Sequence, residues 1–455
     1  MKRTLALGLL LSSALQAMPE AKLNTRTQDK VIPLIQSKSY EALREDLAKT
    51  DVPELDQLWN SRKDYHSDGC ATKQSACQIV SRFEGKSSDR PLVLLPGFTG
   101  YRRLNVEQAY DLIEKGFGPI YILDFQGYGE TIANSRPLQE FADKYGKKVQ
   151  KALSDKFAEE NFRNVTLQDN LKQLPIGIAH INDIIEHVSD VNFVMEIATR
   201  ENNGKKIVIN AHSTGSMYLM LAMGQKSDDA EWIRSVSRIT MESPFLRGMG
   251  TDKMIPVPYS FPITETLVLA LKPILGAKTP VYATRSVPEF VTKATGGFKE
   301  GNSISHSPNR MSLTDNLRTW SGFETAGADW SWVKSSIDTH FDLLLPDAKF
   351  KKLNKRMKTI NQNLAENNIQ LISVATDADT IANPVGTHLF MKKLRSIGKA
   401  QIFDCSFKTA SHGIYVESDK YRDPFMELVY GAVSGEVKSV YGNDPQHEAL
   451  NCAAL

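Results

Sequence analysis

The chain is short of most features that would assign it to a specialised class. Its 55 Lys and Arg nearly balance 53 Asp and Glu, leaving a formal net charge of +2. Near-neutrality, with no basic stripe interleaved with aromatics, excludes an electrostatic nucleic-acid binder. No Cys, His, Asp or Glu cluster stands at metal-ligand spacing, so no metal site is expected. No phosphate loop or dinucleotide fingerprint occurs, so no cofactor is expected either. Internal repeats and low-complexity runs are missing, which removes solenoids and arrays. The N-terminal apolar stretch, Thr4 to Leu15, falls short of the about 20 residues that a bilayer span needs. Behind Met1-Lys-Arg and ahead of Gln16-Ala17, it has the form of a secretory signal over residues 1–17. Leu15 is imperfect at the third position before the cut, so cleavage can slip by a few residues. No cysteine follows, and a lipid anchor is not indicated.

Only four cysteines are present. An even number suits an oxidising compartment, so the reading is export to the periplasm of a bacterium or secretion. Three pairings are possible. The preferred one is Cys70–Cys77, a short local loop, with Cys405–Cys452, which would staple the tail to the last strand.

What the chain does have is Ile207-Val-Ile-Asn-Ala-His-Ser-Thr-Gly-Ser216, a β-branched run that breaks into a serine framed by small residues. It reads as a strand entering a tight turn, with Ser213 at the apex and a helix from Met217 to Met223 behind it. Such a turn projects the hydroxyl above a sheet, where a histidine can take its proton. The pattern is near G-x-S-x-G, with Ala211 in place of the first glycine. Upstream, Pro91-Leu-Val-Leu-Leu-Pro-Gly-Phe-Thr-Gly100 is a buried strand ending in a glycine loop. Oxyanion donors are expected there and just after the nucleophile, at the backbone N–H groups of Phe98 and Thr214. Pro119 to Gly129 is a second buried strand, ending in Asp-x-x-Gly-x-Gly, where the glycines permit a sharp turn.

Downstream, a strand from Val236 to Met241 closes with Glu242-Ser-Pro-Phe. Ile369 to Ile381 places Asp377 and Asp379 in the loop after an apolar strand, with Asp379 preferred and Asp377 the near alternative. A helix from Pro384 to Ile397 and a strand from Ala400 to Phe403 then lead to Ala410-Ser-His-Gly413. The order Ser213, Asp, His412 brings three triad residue types to one sheet edge. Asp404 ends a strand and reads as structural. Among nine histidines, His212 reads as a core residue against the sheet, His388 lies on a helix and His447 in the tail. Alternating strands and helices argue for an α/β fold, a mostly parallel sheet with helices on both faces.

With these residues in hand, the chain resembles the lysophospholipase and monoacylglycerol lipase (serine aminopeptidase-like) branch of the α/β-hydrolases, and looks most similar to bacterial lysophospholipases of the L-two type. Three segments carry this. His412-Gly-Ile-Tyr-Val-Glu-Ser-Asp-Lys-Tyr-Arg422 is similar to the family's His-Glu-x-x-x-Glu-x-Asp-x-x-Arg stretch, with Gly413 where Glu is usual. Gly301-Asn-Ser-Ile-Ser-His-Ser-Pro-Asn-Arg310 resembles its Asn-x-Leu-Thr-His-Ser-x-x-Arg element. Ala326-Gly-Ala-Asp-Trp-Ser-Trp-Val-Lys-Ser-Ser336 resembles its Gly-Gly-x-x-x-x-Trp-Val-x-Glu-Ser stretch. The chain departs from the family at Pro96-Gly97 where His-Gly is common, at Gln126 where Arg is usual, and at Ser216 where Gly is common. The resemblance implies an α/β-hydrolase fold with an inserted cap.

The expected layout is a signal over 1–17, an accessory segment over 18–90, a hydrolase core over 91–246 and 366–435, a cap over 247–365, and a tail over 436–455. Helical periodicity is visible around Tyr40 to Trp59. Lys351 to Lys358 reads as a solvated helix face. Met254 to Leu275 is the most apolar segment outside the sheet, fitted either to an acyl chain or membrane interface or to ordinary cap packing. The reading is an exported serine hydrolase of lipid carboxylic esters, a lysophospholipase or monoacylglycerol lipase, with a small-molecule lipid or ester substrate, transient membrane-interface contact through the cap and no nucleic-acid partner. Alternatives are a serine peptidase or amidase on the same triad, or a non-catalytic binding module on a hydrolase scaffold.

Overall fold

A computed structural model describes residues 53–131, 178–247 and 354–430 apart from short gaps, together with 24–27, 304–307, 310, 327–328, 330–344, 448 and 450–454. The signal, most of the helical periodicity before Pro53, the apolar segment from Met254 to Leu275, and His447 lie outside the described residues.

Among the described residues the strands are β1 (Asn24–Thr27), β2 (Lys63–His66), β3 (Ile79–Phe83), β4 (Leu92–Leu95), β5 (Ile120–Asp124), β6 (Ile178–Ala179), β7 (Ile207–His212), β8 (Val236–Glu242), β9 (Gly327–Ala328), β10 (Gln370–Thr376), β11 (Gln401–Phe407) and β12 (Asn451–Ala454). Ten of them form one sheet in the order β1-β2-β3-β5-β4-β7-β8-β10-β11-β12, and β6 pairs with β9 separately. From β5 to β11 every neighbouring pair is parallel. The first three strands and β12 are antiparallel additions at the two edges. Strands covered on both faces need apolar side chains on both sides. Accordingly Leu92–Leu95, Ile120–Asp124 and Gln370–Thr376 are buried at every position.

Two apolar layers follow from this. On one face the sheet packs against α4 (His187–Glu201), α5 (Thr214–Met223), α7 (Asn354–Glu366) and α8 (Pro384–Ile397), through residues such as Met195, Met217, Ile360 and Phe390. On the other face lie α1 (Pro53–Asn60), α3 (Val106–Glu114) and α9 (Asp419–Tyr430), through Trp59, Leu112 and Phe425. The remaining helices are α2 (Asp68–Thr72) and α6 (Trp330–Leu344).

Segment 18–90 thus supplies three strands to the main sheet. A buried charge cluster joins them to it: Arg102 contacts Asp64 at 2.9 Å and Asp124 at 3.0 Å, while Ser81 donates to Asp64 at 2.6 Å. Both preferred disulfides form, Cys70–Cys77 and Cys405–Cys452. The second joins residues directly opposite each other in β11 and β12.

The structure moves some sequence-derived boundaries. The helix after Ser213 starts at Thr214 rather than Met217, because the turn passes directly into it. The strand read as Ala400 to Phe403 runs from Gln401 to Phe407, so Asp404 lies inside it. A further strand follows, Asn451–Ala454. Because the central strands are parallel, their C-terminal ends share one edge, where sheets of this kind bind ligands. Phe98, Ser213, Glu242, Asp379 and His412 all lie at or just beyond those ends.

Candidate active site

Ser213 sits between β7 and α5 at φ 51 and ψ −119, backbone that a non-glycine residue rarely adopts. Three hydrogen bonds hold it there. Its N–H donates to the Glu242 carbonyl at 2.8 Å, and its carbonyl accepts from Phe245 at 3.0 Å and Ser216 at 3.1 Å. The small neighbours are steric requirements. A Cβ on Gly215 would lie 2.5 Å from the Pro96 carbonyl oxygen, and one on Gly97 would lie 2.8 Å from the Ser213 Cβ. The loop carrying Phe98 therefore rests directly on the serine. Among the described residues, no group accepts a hydrogen bond from the Phe98 or Thr214 backbone N–H.

His412 lies in the loop between β11 and α9. Its Nε2 is 2.9 Å from Ser213 Oγ and its Nδ1 2.6 Å from Asp379 Oδ2. All three residues are at most 4% exposed. Asp379 Oδ1 accepts the N–H groups of Ile381 at 2.7 Å and Ala382 at 2.9 Å. The carboxylate is thus aimed by its own loop. Asp377, two residues earlier, is exposed, with its N–H bonded to the Phe407 carbonyl. With the proton on Nδ1, His412 donates to Asp379 and accepts from the serine, leaving Nε2 free to take the hydroxyl proton.

The other histidine candidates take different partners. His388 Nδ1 pairs with Asp404 Oδ2 at 2.6 Å and bonds to none of the three triad candidates. His212 ends β7, with its ring 5.1 Å from those of both His412 and Tyr415 and its Nδ1 3.5 Å from Glu242 Oε1. Glu242 was not singled out from the sequence. It is fully buried, accepts the Tyr415 N–H at 2.8 Å, and burial pushes its carboxyl up to about 8.

Aromatic side chains cluster on the two segments whose backbones adjoin the serine, those of Phe98 and Phe245. The Phe98 ring is 4.6 Å from Trp332 and 5.5 Å from Tyr128, and Phe245 is 6.1 Å from Trp332 and 5.3 Å from His340. Burial pushes the His340 imidazole down to about 4. Trp332 comes from the Ala326–Ser336 stretch, on α6. The other two motif segments bond to each other: Ser305, His306 and Arg310 all contact residues 416–419. The Gly413 departure has a steric cause, since a Cβ there would meet Val416 at 2.8 Å and Ile304 at 3.0 Å.

No family model matches this chain, and no curated protein does. Among solved structures, a highly thermostable carboxyl esterase from Bacillus coagulans, in complex with glycerol, superposes with a TM-score of 0.52 at 13% identity, covering 80% of this chain and 96% of its own. The chain has the α/β-hydrolase fold. A soluble monoglyceride lipase variant from Saccharomyces cerevisiae has a TM-score of 0.48 at 13% identity, over 80% of this chain and 94% of its own. A monoacylglycerol lipase from Paleococcus ferrophilus has 0.46 at 15%, over 79% and 99%. Of these three the esterase passes 0.5, and at such identity it bears on the fold alone.

The aromatic neighbours and Glu242 escaped sequence reasoning because their positions depend on long-range packing. The available signals were partial: Phe98 stood in the glycine loop, Trp332 in the Ala326–Ser336 stretch, and Glu242-Ser-Pro-Phe at a strand end beside the serine strand.

Proposed function

We propose that this protein is an exported serine hydrolase that cleaves carboxylic esters of lipids, a lysophospholipase or monoacylglycerol lipase. The observation that carries the reading is the unbroken line from Asp379 through His412 to a serine held in strained backbone. Ser213 Oγ attacks the acyl carbonyl as His412 Nε2 takes its proton, and Asp379 stabilises the imidazolium. The Phe98 and Thr214 N–H groups receive the oxyanion. His412 returns the proton to the departing alcohol, and water releases the acid from the acyl-enzyme by the same route.

An apolar acyl chain is supported by the aromatic cluster of Phe98, Trp332, Tyr128 and Phe245, built on the two segments whose backbones adjoin Ser213, and by the motif resemblance. Export is supported by two disulfides in a four-cysteine chain. Residues 247–365 act as the cap in this reading, and membrane-interface contact is assigned to it. The test is fluorophosphonate labelling followed by a lipid-class panel, with wild type and Ser213→Ala. Labelling and cleavage of lysophospholipid or monoacylglycerol, both abolished in the variant, are expected. Preferred cleavage of aminoacyl amides would replace the ester assignment, and absence of labelling would leave a binding module.

A further inference from the structure

Three alternate backbone N–H groups hold the histidine loop. Ser411 donates to Glu417 Oε1 at 2.7 Å, Gly413 to the Ile304 carbonyl at 2.7 Å, and Tyr415 to Glu242 Oε1 at 2.8 Å. The first two flank His412 on either side, and both lead to residues 304–306. Glu417 is fully buried and gathers the loop and that segment together. Its Oε2 accepts from the His306 N–H at 2.7 Å, the Ser418 N–H at 3.1 Å and Ser305 Oγ at 3.3 Å. Its Oε1 accepts only two donors among the described contacts, the Ser411 N–H and His306 Nδ1 at 2.7 Å.

His306 differs from the rest of this cluster in being half-exposed, with 51% of its side chain open to solvent. Among the described residues its ring stands 5.5 Å from that of Tyr421. Its Nδ1 is also 3.2 Å from Ser411 Oγ, so it touches the residue immediately before His412 and shares that residue's anchoring oxygen.

We infer that His306 is a positioning residue for His412. By donating from Nδ1 to Glu417 Oε1 it fixes the rotation of that carboxylate, which fixes the backbone at Ser411 and keeps His412 Nε2 in line with Ser213 Oγ. The inference rests on the triad reading above. A terminal carboxylate torsion is broad unless its oxygens are pinned. Losing one of the two donors on Oε1 therefore lets the loop shift by fractions of an ångström. Proton transfer to Nε2 depends on that distance, and misplacements on the order of 1 Å cost about a hundredfold.

The experiment compares His306→Ala, His306→Phe and His306→Asn in the full chain. It measures kcat and KM on a short-chain p-nitrophenyl ester, the rate of fluorophosphonate trapping, and the thermal midpoint. Asparagine presents an amide N–H where Nδ1 stands, while phenylalanine fills the ring space without a donor. The Ala and Phe variants should lose about tenfold to a hundredfold in kcat and trapping rate, with KM and midpoint unchanged, and Asn should restore most of the loss. Wild-type kcat in His306→Phe overturns the inference. So does an Asn variant as slow as Phe, or a kcat loss that merely follows a fallen midpoint. A wild type that is never trapped overturns the serine-hydrolase reading itself, and this inference with it.

Discussion

Ser213 and His412 should fail together. Residues that act as one relay lose activity as a unit, so Ser213→Ala and His412→Ala should each remove several orders of magnitude, with the double variant little worse. Additive losses in kcat/KM would show that they do not share one machine. The acid allows a sharper comparison. Asp379 is buried with both oxygens engaged, whereas Asp377 points to solvent. Asp379→Asn should cost roughly 10³–10⁴ in turnover, because the wrong imidazole tautomer is then favoured, and Asp377→Asn little. The reverse ranking would move the acid by two residues. Gly97 is the third test at this scale. An added Cβ would crowd both Ser213 and the His212 ring, so Gly97→Ala should depress fluorophosphonate trapping far more than it lowers the thermal midpoint. A variant trapped at the wild-type rate would mean the loop can yield without disturbing the serine.

At the scale of elements, legibility followed burial. Strands β4, β5, β7 and β10 are covered on both faces, so each reads as a mainly apolar run bounded by a turn, whereas β8 carries Ser237, Arg238 and Thr240 within it. The edge strands Asn24–Thr27, Lys63–His66 and Asn451–Ala454 are short and polar-mixed, and their pairing comes from partners far away in the chain. Nothing local marks them. The same reason divides the site. Ser213 and His412 carry motif context, whereas Glu242 is made unusual by burial among distant segments, its Tyr415 N–H partner lying 173 positions later. The disulfides sit on those quiet edges. Cys405–Cys452 closes a sequence separation of 47, against 7 for Cys70–Cys77. Loop-closure arguments put a disulfide at about 2–4 kcal/mol, more for longer loops. Cys452→Ser should therefore lower the denaturation midpoint more than Cys77→Ser, and reduction should cost stability more than turnover. Equal midpoints for the two variants would remove the tail from the account of stability.

For the molecule as a whole, two buried groups set opposite pH limits on the folded state. Burial pushes Glu242 up from 4.5 to about 8. Below 4.5 it is protonated in both states and contributes no slope. Between 4.5 and 8 the folded chain keeps a proton that the unfolded chain has released, so folding is progressively disfavoured as pH rises through that window. His340 is displaced the other way, from 6.5 down to about 4 by burial. Between 4 and 6.5 the unfolded chain binds a proton that the folded chain refuses, so this contribution is lost as pH falls. The two slopes oppose each other where the windows overlap, and above 6.5 that of Glu242 remains, joined by His388, which its bond to Asp404 holds above 6.5. The thermal midpoint should accordingly decline from pH 6.5 to beyond pH 8, and Glu242→Gln should flatten that arm while leaving the acid arm in place. Glutamine keeps an oxygen for the Tyr415 N–H, so the substitution removes the titration and retains the hydrogen bond. An alkaline slope unchanged in Glu242→Gln would mean that other groups govern it. The buried carboxyl beside Ser213 and His212 would then have to be ionised at neutral pH, placing a negative charge against the candidate triad and requiring a cation such as Arg422, whose charge already acts on it, to hold it there.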